Sequence, residues 1–136
     1  MIPLKVHNVL DYVIGAFLVV SPWMFGFSDI PAARTVFVFA GLALVAYSLL
    51  TNYHYSVAKV IPLGVHMTLD AIIGVVTILA PAMFGYRELL TNGQYALHVI
   101  LGVGAIGLVA MTKPRTEAAK TPAERAEINH DVPIMH

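Results

Sequence analysis

The stretch "PLKVHNVLDYVIG", residues 3–15, returns as "PLGVHMTLDAIIG", residues 62–74. Shared hydrophobicity accounts for the recurring Val, Leu and Ile, but it cannot place a His, an Asp and a Gly in the same register. Carried on without gaps, residues 3–29 and 62–88 share twelve identities in 27 positions, among them His7/His66, Asp11/Asp70, Gly15/Gly74, Pro22/Pro81, Phe25/Phe84 and Gly26/Gly85. After a two-residue shift, "VFAGLALVA" (38–46) lines up with "VILGVGAIG" (99–107), and Gly41 falls on Gly102. The pattern reads as a tandem duplication, with one unit at 1–56 and a second at 57–112.

Each unit holds two apolar segments: roughly 4–21 and 34–52 in the first, 62–80 and 94–112 in the second. A membrane-crossing helix needs about 20 largely apolar residues, and a soluble bundle would interrupt such segments with a polar stripe every turn. The chain is 58% apolar and 12% charged, with a mean hydropathy of +0.77, against roughly 25% charged residues in an ordinary soluble domain. The expected fold is therefore all-α: a four-transmembrane-helix bundle made of two tandem helical hairpins. Lys5, Lys59, Lys113, Arg115, Lys120 and Arg125 fall on one side of this topology and only Arg34 and Arg87 on the other. The positive-inside rule then predicts both termini in the cytoplasm. The first span copies the third, so it is read as a permanent span and not as a cleaved signal peptide. Residues 113–136 change to mixed charge with Pro114, Pro122 and Pro133. They are read as a polar, disordered cytoplasmic tail, within which Thr121, Pro122 and Glu124 form a helix-start signal.

Composition also excludes functions. With no cysteine, the chain has no disulfide framework and no thiolate metal site. Its net charge is zero and its basic residues are scattered, which argues against nucleic acid as a partner. "GVGAIG", residues 102–107, has the spacing of a nucleotide-binding loop but lies mid-span without the strand that motif requires. No Ser-His-Asp or Cys-His arrangement exists, so no enzymatic activity and no catalytic residue is expected.

The phrase "SPWMFG", residues 21–26, returns in part as "APAMFG", residues 80–85. Serine is a good N-cap and proline is favoured just after it, so Ser21 and Pro22 are expected to end one helix and begin a short interfacial turn. Trp23 and Phe25 would anchor that turn at headgroup level, and Gly26 permits a positive φ. The second unit keeps Pro81, Phe84 and Gly85 but loses the serine and the tryptophan. Two paired spans with Ser21-Pro22-Trp23 at the end of the first, the unit being repeated, resemble the SPW repeat family of small integral membrane proteins. The resemblance covers about residues 3–112, although the second unit keeps only the proline of the tripeptide. It implies a membrane domain of paired helices and supplies no activity, cofactor or catalytic residue.

The polar residues inside the spans are the candidate site. His7 and Asp11 are one helical turn apart, as are His66 and Asp70, so each pair shares a face that Gly15 and Gly74 extend. Close approach through small residues suggests that spans one and three meet on this face while spans two and four lie outside. An Asp at mid-membrane costs about 2.5–3.5 kcal/mol, so each must find a partner. One reading has the pairs cross-linking spans one and three, Asp11 to His66 and Asp70 to His7. A second has His7, Asp11, His66 and Asp70 forming a proton, ion or small-ligand pathway. A third has His7 and His66 binding a metal or haem, although His-x3-Asp is too common a spacing to assign a metal. His98, alone in span four, reads as a packed histidine. The functional expectation is a small, non-enzymatic, multi-pass protein of the bacterial inner membrane, structural or accessory to a membrane assembly. It would have no cofactor, and its partners would be the lipid bilayer, other membrane proteins or a second copy of itself.

Overall fold

Four helices follow one another in the computed structural model, which describes residues 1–52 and 56–112: α1 (Leu4–Met24), α2 (Pro31–Leu50), α3 (Leu63–Met83) and α4 (Asn92–Met111), with a short 3-10 turn at Arg87–Leu89. At 1.5 Å per residue, helices of 20 or 21 residues are about 30 Å long, the thickness of a bilayer's hydrocarbon core. All four are long and apolar enough to cross a membrane. Among the described residues the only β-type pairings are two isolated bridges, Ile2 with Thr112 and Thr51 with Ile61. The expected tail at 113–136 lies outside the described residues.

Local chemistry sets the helix starts. Pro3 and Pro62 stand just before α1 and α3 in extended conformation, and Pro31 occupies the first turn of α2, where a missing N–H breaks no helical bond. α4 begins at a capping box: Thr91 Oγ1 accepts from the Gln94 backbone N–H, and the Gln94 side chain accepts from the Thr91 N–H.

The repeated phrase turns out to be a helix stop. α1 runs through Pro22 to Met24 and α3 through Pro81 to Met83. Gly26 (φ 71°) and Gly85 (φ 68°) then adopt the left-handed conformation. The next N–H in each case reaches back to a proline carbonyl, Phe27 to Pro22 at 2.9 Å and Tyr86 to Pro81 at 3.0 Å. That six-residue closure is the Schellman motif, and it explains why proline and glycine survive in both copies. Ser21 is not an N-cap, which corrects the sequence expectation. Its hydroxyl donates to the Phe17 carbonyl one turn back at 2.6 Å, because the helix continues past it and leaves no free N–H to cap. Trp23 and Phe84 point outward, 58% and 55% exposed. Trp23 borders a shallow groove with Arg34, Thr35 and Val38.

Packing is tight within each hairpin and lighter between them: α1 lies along α2, α3 lies along α4, and the hairpins touch mainly where α2 passes α3. Glycines set the close contacts. A Cβ on Gly41 would sit 2.5 Å from the Gly15 carbonyl oxygen, and one on Gly102 would sit 2.5 Å from the Gly74 carbonyl oxygen. The glycine contacts are thus α1 to α2 and α3 to α4, not α1 to α3 as the shared face suggested. Glycine marks where backbones touch, whereas His and Asp reach a more distant helix through their side chains.

The pattern of burial is inverted relative to a soluble protein. His7, Asn8, Asp11, His66, Asp70 and His98 are buried, while Phe39 (73% exposed), Ile100, Val13 and Val103 face outward. Hydrocarbon is the solvent that stabilises this arrangement. The protein is a multi-pass integral membrane protein.

Because a backbone carbonyl oxygen opposes each glycine at 2.5 Å, Gly41→Ala and Gly102→Ala should each destabilise the bundle by about 1–3 kcal/mol. Gly104→Ala, whose added Cβ would meet nothing within 4 Å, should cost nothing. Denaturant unfolding in detergent micelles, followed by far-UV circular dichroism, measures the difference. Equal stabilities for the Gly41 and Gly104 variants would contradict it.

Candidate functional site

Four side chains converge at the bundle end that carries residue 3 and residue 112. His7 and Asp11 come from α1, one turn apart, and His66 and Asp70 come from α3. His7 Nε2 lies 3.1 Å from Asp70 Oδ2 and 3.4 Å from Asp11 Oδ1. His66 Nε2 lies 3.1 Å from both Asp11 Oδ2 and Asp70 Oδ2. Each imidazole therefore faces both carboxylates, one on its own helix and one across the hairpins. Each histidine is wholly buried, and both aspartates are nearly so.

The outer ring nitrogens are both donors. Thr112 Oγ1 donates its hydrogen to the Leu108 carbonyl at 2.6 Å, so it can only accept from His7 Nδ1 at 2.7 Å. Thr51 Oγ1 likewise donates to the Tyr47 carbonyl at 2.6 Å and accepts from His66 Nδ1 at 2.8 Å. Both Nδ1 atoms carry hydrogen, and both Nε2 atoms face the carboxylates. The threonines are exchanged between units: the last residue of the first hairpin serves the second unit's histidine, and the reverse. Beside them, the bridges Ile2 with Thr112 and Thr51 with Ile61 repeat the same exchange in the backbone.

The two copies are not equal. Tyr47 donates its hydroxyl to Asp70 Oδ1 and packs edge-on against His66 at 4.8 Å between ring centroids. The position that corresponds to Tyr47 in α4 is Leu108, so Asp11 has no such phenol. Asn8, beside His7, corresponds to Met67. Both polar side-chain atoms of Asn8 are buried without a hydrogen-bond partner, as is the Ser48 hydroxyl. Each lies seven residues, two turns, from a glycine of the α1–α2 contact, Gly15 and Gly41. Next to the aspartates is a cavity of about 30 Å³, lined by Asp11, Tyr47, Asp70 and Thr77 together with leucines from α1, α2 and α4. That is room for about one water.

A second cluster sits at the opposite end, around His98. His98 Nδ1 donates to the Gln94 carbonyl at 2.8 Å, which leaves Nε2 to accept from the Tyr86 hydroxyl at 3.2 Å. Burial pushes the Tyr86 hydroxyl up to about 12, so it stays protonated and can donate. Phe37 and Phe27 close the cluster, 4.6 and 5.7 Å from the His98 ring. His98 and Phe37 are equivalent positions of the two units, as are Tyr86 and Phe27. His98 is thus a packed histidine in the half of the bundle opposite the quartet.

The model of the SPW repeat domain matches residues 5–113. The chain belongs to the SPW repeat family. In this SPW repeat protein the name-giving tripeptide, Ser21-Pro22-Trp23, lies in the last turn of α1, and His7 and Asp11 of the polar quartet lie toward the other end of the same helix. No curated protein and no solved structure matches the chain.

Of the residues singled out in the sequence, His7, Asp11, His66 and Asp70 are brought together, while Pro22, Gly26, Pro81 and Gly85 serve helix termination. Thr51, Thr112 and Tyr47 were missed. The two threonines had a signal, since extending the match of 38–46 with 99–107 by five residues pairs Thr51 with Thr112. Tyr47 had none, because its counterpart is Leu108.

Replacing Thr51 or Thr112 by valine keeps the shape but strands a buried imidazole N–H. Each change should cost about 1–3 kcal/mol, and Tyr47→Phe should cost a similar amount by depriving Asp70 of a donor. Unfolding midpoints in micelles check this, and midpoints matching wild type would show that these bonds are not holding the quartet.

Proposed function

We propose that this SPW repeat protein is a non-enzymatic structural or accessory component of a membrane assembly, a stiff four-span body in the inner membrane of a bacterium with both termini in the cytoplasm. One observation carries the reading: both ring nitrogens of His7 and His66 are engaged by protein groups, and those groups link one hairpin to the other. Groups that carry ions or protons need a route and room to exchange partners. Here the polar atoms are tied into inter-hairpin bonds, and the adjoining cavity is the size of a single water. The same polar side chains that would be costly in lipid thus act as the fastening between the two halves.

A proton, ion or small-ligand pathway is the competing reading, favoured by that cavity beside two carboxylates. Haem has no place at the quartet, because the Asp11 and Asp70 carboxylates stand 3.1–3.4 Å from the histidine Nε2 atoms and the adjoining cavity is about 30 Å³. That leaves no slab for a porphyrin between the rings.

Reconstituted into liposomes, the protein should dissipate an imposed pH gradient no faster than protein-free vesicles. Purified in mild detergent, it should carry a membrane partner or self-associate. Proton flux above background that disappears in the Asp11→Asn, Asp70→Asn double variant would overturn the structural reading in favour of the pathway.

A further inference from the structure

We infer that His7, Asp11, His66 and Asp70 form a site for one divalent transition-metal ion of the Zn²⁺ class, held between the hairpins by one histidine and one aspartate from each. The inference deepens the structural role proposed above and rests on it.

Four features of the site agree on this. The potential ligand atoms all lie within 4.8 Å of one another. Metal-to-ligand distances of about 2.0–2.1 Å in a tetrahedral zinc site place neighbouring ligands about 3.3–3.4 Å apart. With Asp11 Oδ2 and Asp70 Oδ2 as the carboxylate ligands, three His-to-Asp separations are 3.1 Å, so three of the six edges of the coordination tetrahedron already stand close to their final length, while His7 lies 3.4 Å from the other Asp11 oxygen, Oδ1. The remaining three edges, His7 to Asp11, His to His and Asp to Asp, need only side-chain adjustment within the 4.8 Å limit.

The second feature is orientation. A ligating histidine characteristically donates its other ring N–H to an oxygen acceptor, which fixes the tautomer and directs the free lone pair at the metal. Thr112 and Thr51 do this for His7 and His66, as their own committed hydroxyl hydrogens require. The Tyr47 hydroxyl holds Asp70 Oδ1 in the same way and leaves Oδ2 facing the histidines.

The third is charge. Two neutral imidazoles and two carboxylates sum to minus two, and a divalent ion brings the buried site to neutrality. A monovalent or trivalent ion would leave a net charge in the low-dielectric interior. The fourth is ligand type. Two nitrogens and two oxygens in a four-coordinate shell suit Zn²⁺ or Co²⁺, whereas Mg²⁺ and Ca²⁺ require six or more oxygens. On binding, any protons shared between the Nε2 atoms and the carboxylates are released to solvent, and the ion takes their place.

The test uses the full-length protein purified in mild detergent with an affinity tag free of histidine. It is stripped with a chelator and titrated with Zn²⁺ and then Co²⁺. The expected result is one ion per chain, a four-coordinate Co²⁺ absorption spectrum, and a thermal unfolding midpoint that rises on loading. The Asp11→Asn, Asp70→Asn double variant should lose this binding. Thr51→Val and Thr112→Val, which keep all four ligands, should weaken it 10–100-fold. The inference is overturned if the wild type takes up neither ion, or if the aspartate variant binds as wild type does, which would place the metal on histidines elsewhere in the chain. Should the double variant fail to fold, unchanged affinity in the threonine variants overturns it. A wild-type protein that is metal-free yet folded and monodisperse removes the ion and leaves the structural role standing. Proton flux in liposomes removes the structural role instead.

Discussion

Hydrocarbon cannot hydrogen-bond to a carboxylate or an imidazole, so every such group inside the spans must find its partner within the protein. The rest of the architecture follows from that constraint. A His and an Asp at i and i+4 lie on one stripe of a helix, and one stripe cannot bury itself. The copy of the unit supplies the second stripe. Where the two meet, each histidine stands between two carboxylates, and the threonines that close α2 and α4 take the outer ring nitrogens. The pair of hairpins is therefore joined by polar atoms at one end of the bundle. At the other end, Phe27, Phe37, Tyr86 and His98 pack ring against ring.

Two kinds of contact divide the work. Within a hairpin, glycine opposite glycine lets the helix backbones touch, and dispersion between closely packed atoms holds them, as is usual where lipid removes any hydrophobic drive. Between hairpins the backbones stay further apart and longer side chains cross the gap. The match between the two halves need not be exact for this to work. Tyr47, Asn8 and His98 each replace an apolar residue of the other copy. They give Asp70 an extra donor, leave unsatisfied polar atoms on the α1–α2 seam, and put a hydrogen bond into the aromatic cluster. The two halves share a framework and differ in what decorates it.

Much of this was legible in the sequence. The four spans follow from uninterrupted apolar length, and the coincidence of His7 and Asp11 with His66 and Asp70 pointed to one site. What the sequence hid was geometric. Gly15 lies on the same stripe as Asp11, yet it contacts Gly41 of α2, because a residue without a side chain reports the nearest helix and a long polar one reports the next. Ser21 and Pro22 carry a helix-start signature, yet they close a helix. The decisive residue is Gly26, whose left-handed conformation lets the Phe27 N–H reach back to the Pro22 carbonyl. The threonine partners lay just past the end of the aligned segment.

If Asp11 with His66, and Asp70 with His7, join the hairpins, each pair is energetically coupled. A double-mutant cycle across each pair in the full-length protein, read as unfolding free energy in micelles, tests it most directly. The expected result is a favourable coupling of about 0.5–3 kcal/mol for both pairs. Single-variant losses that simply add, to within about 0.3–0.5 kcal/mol, would contradict it.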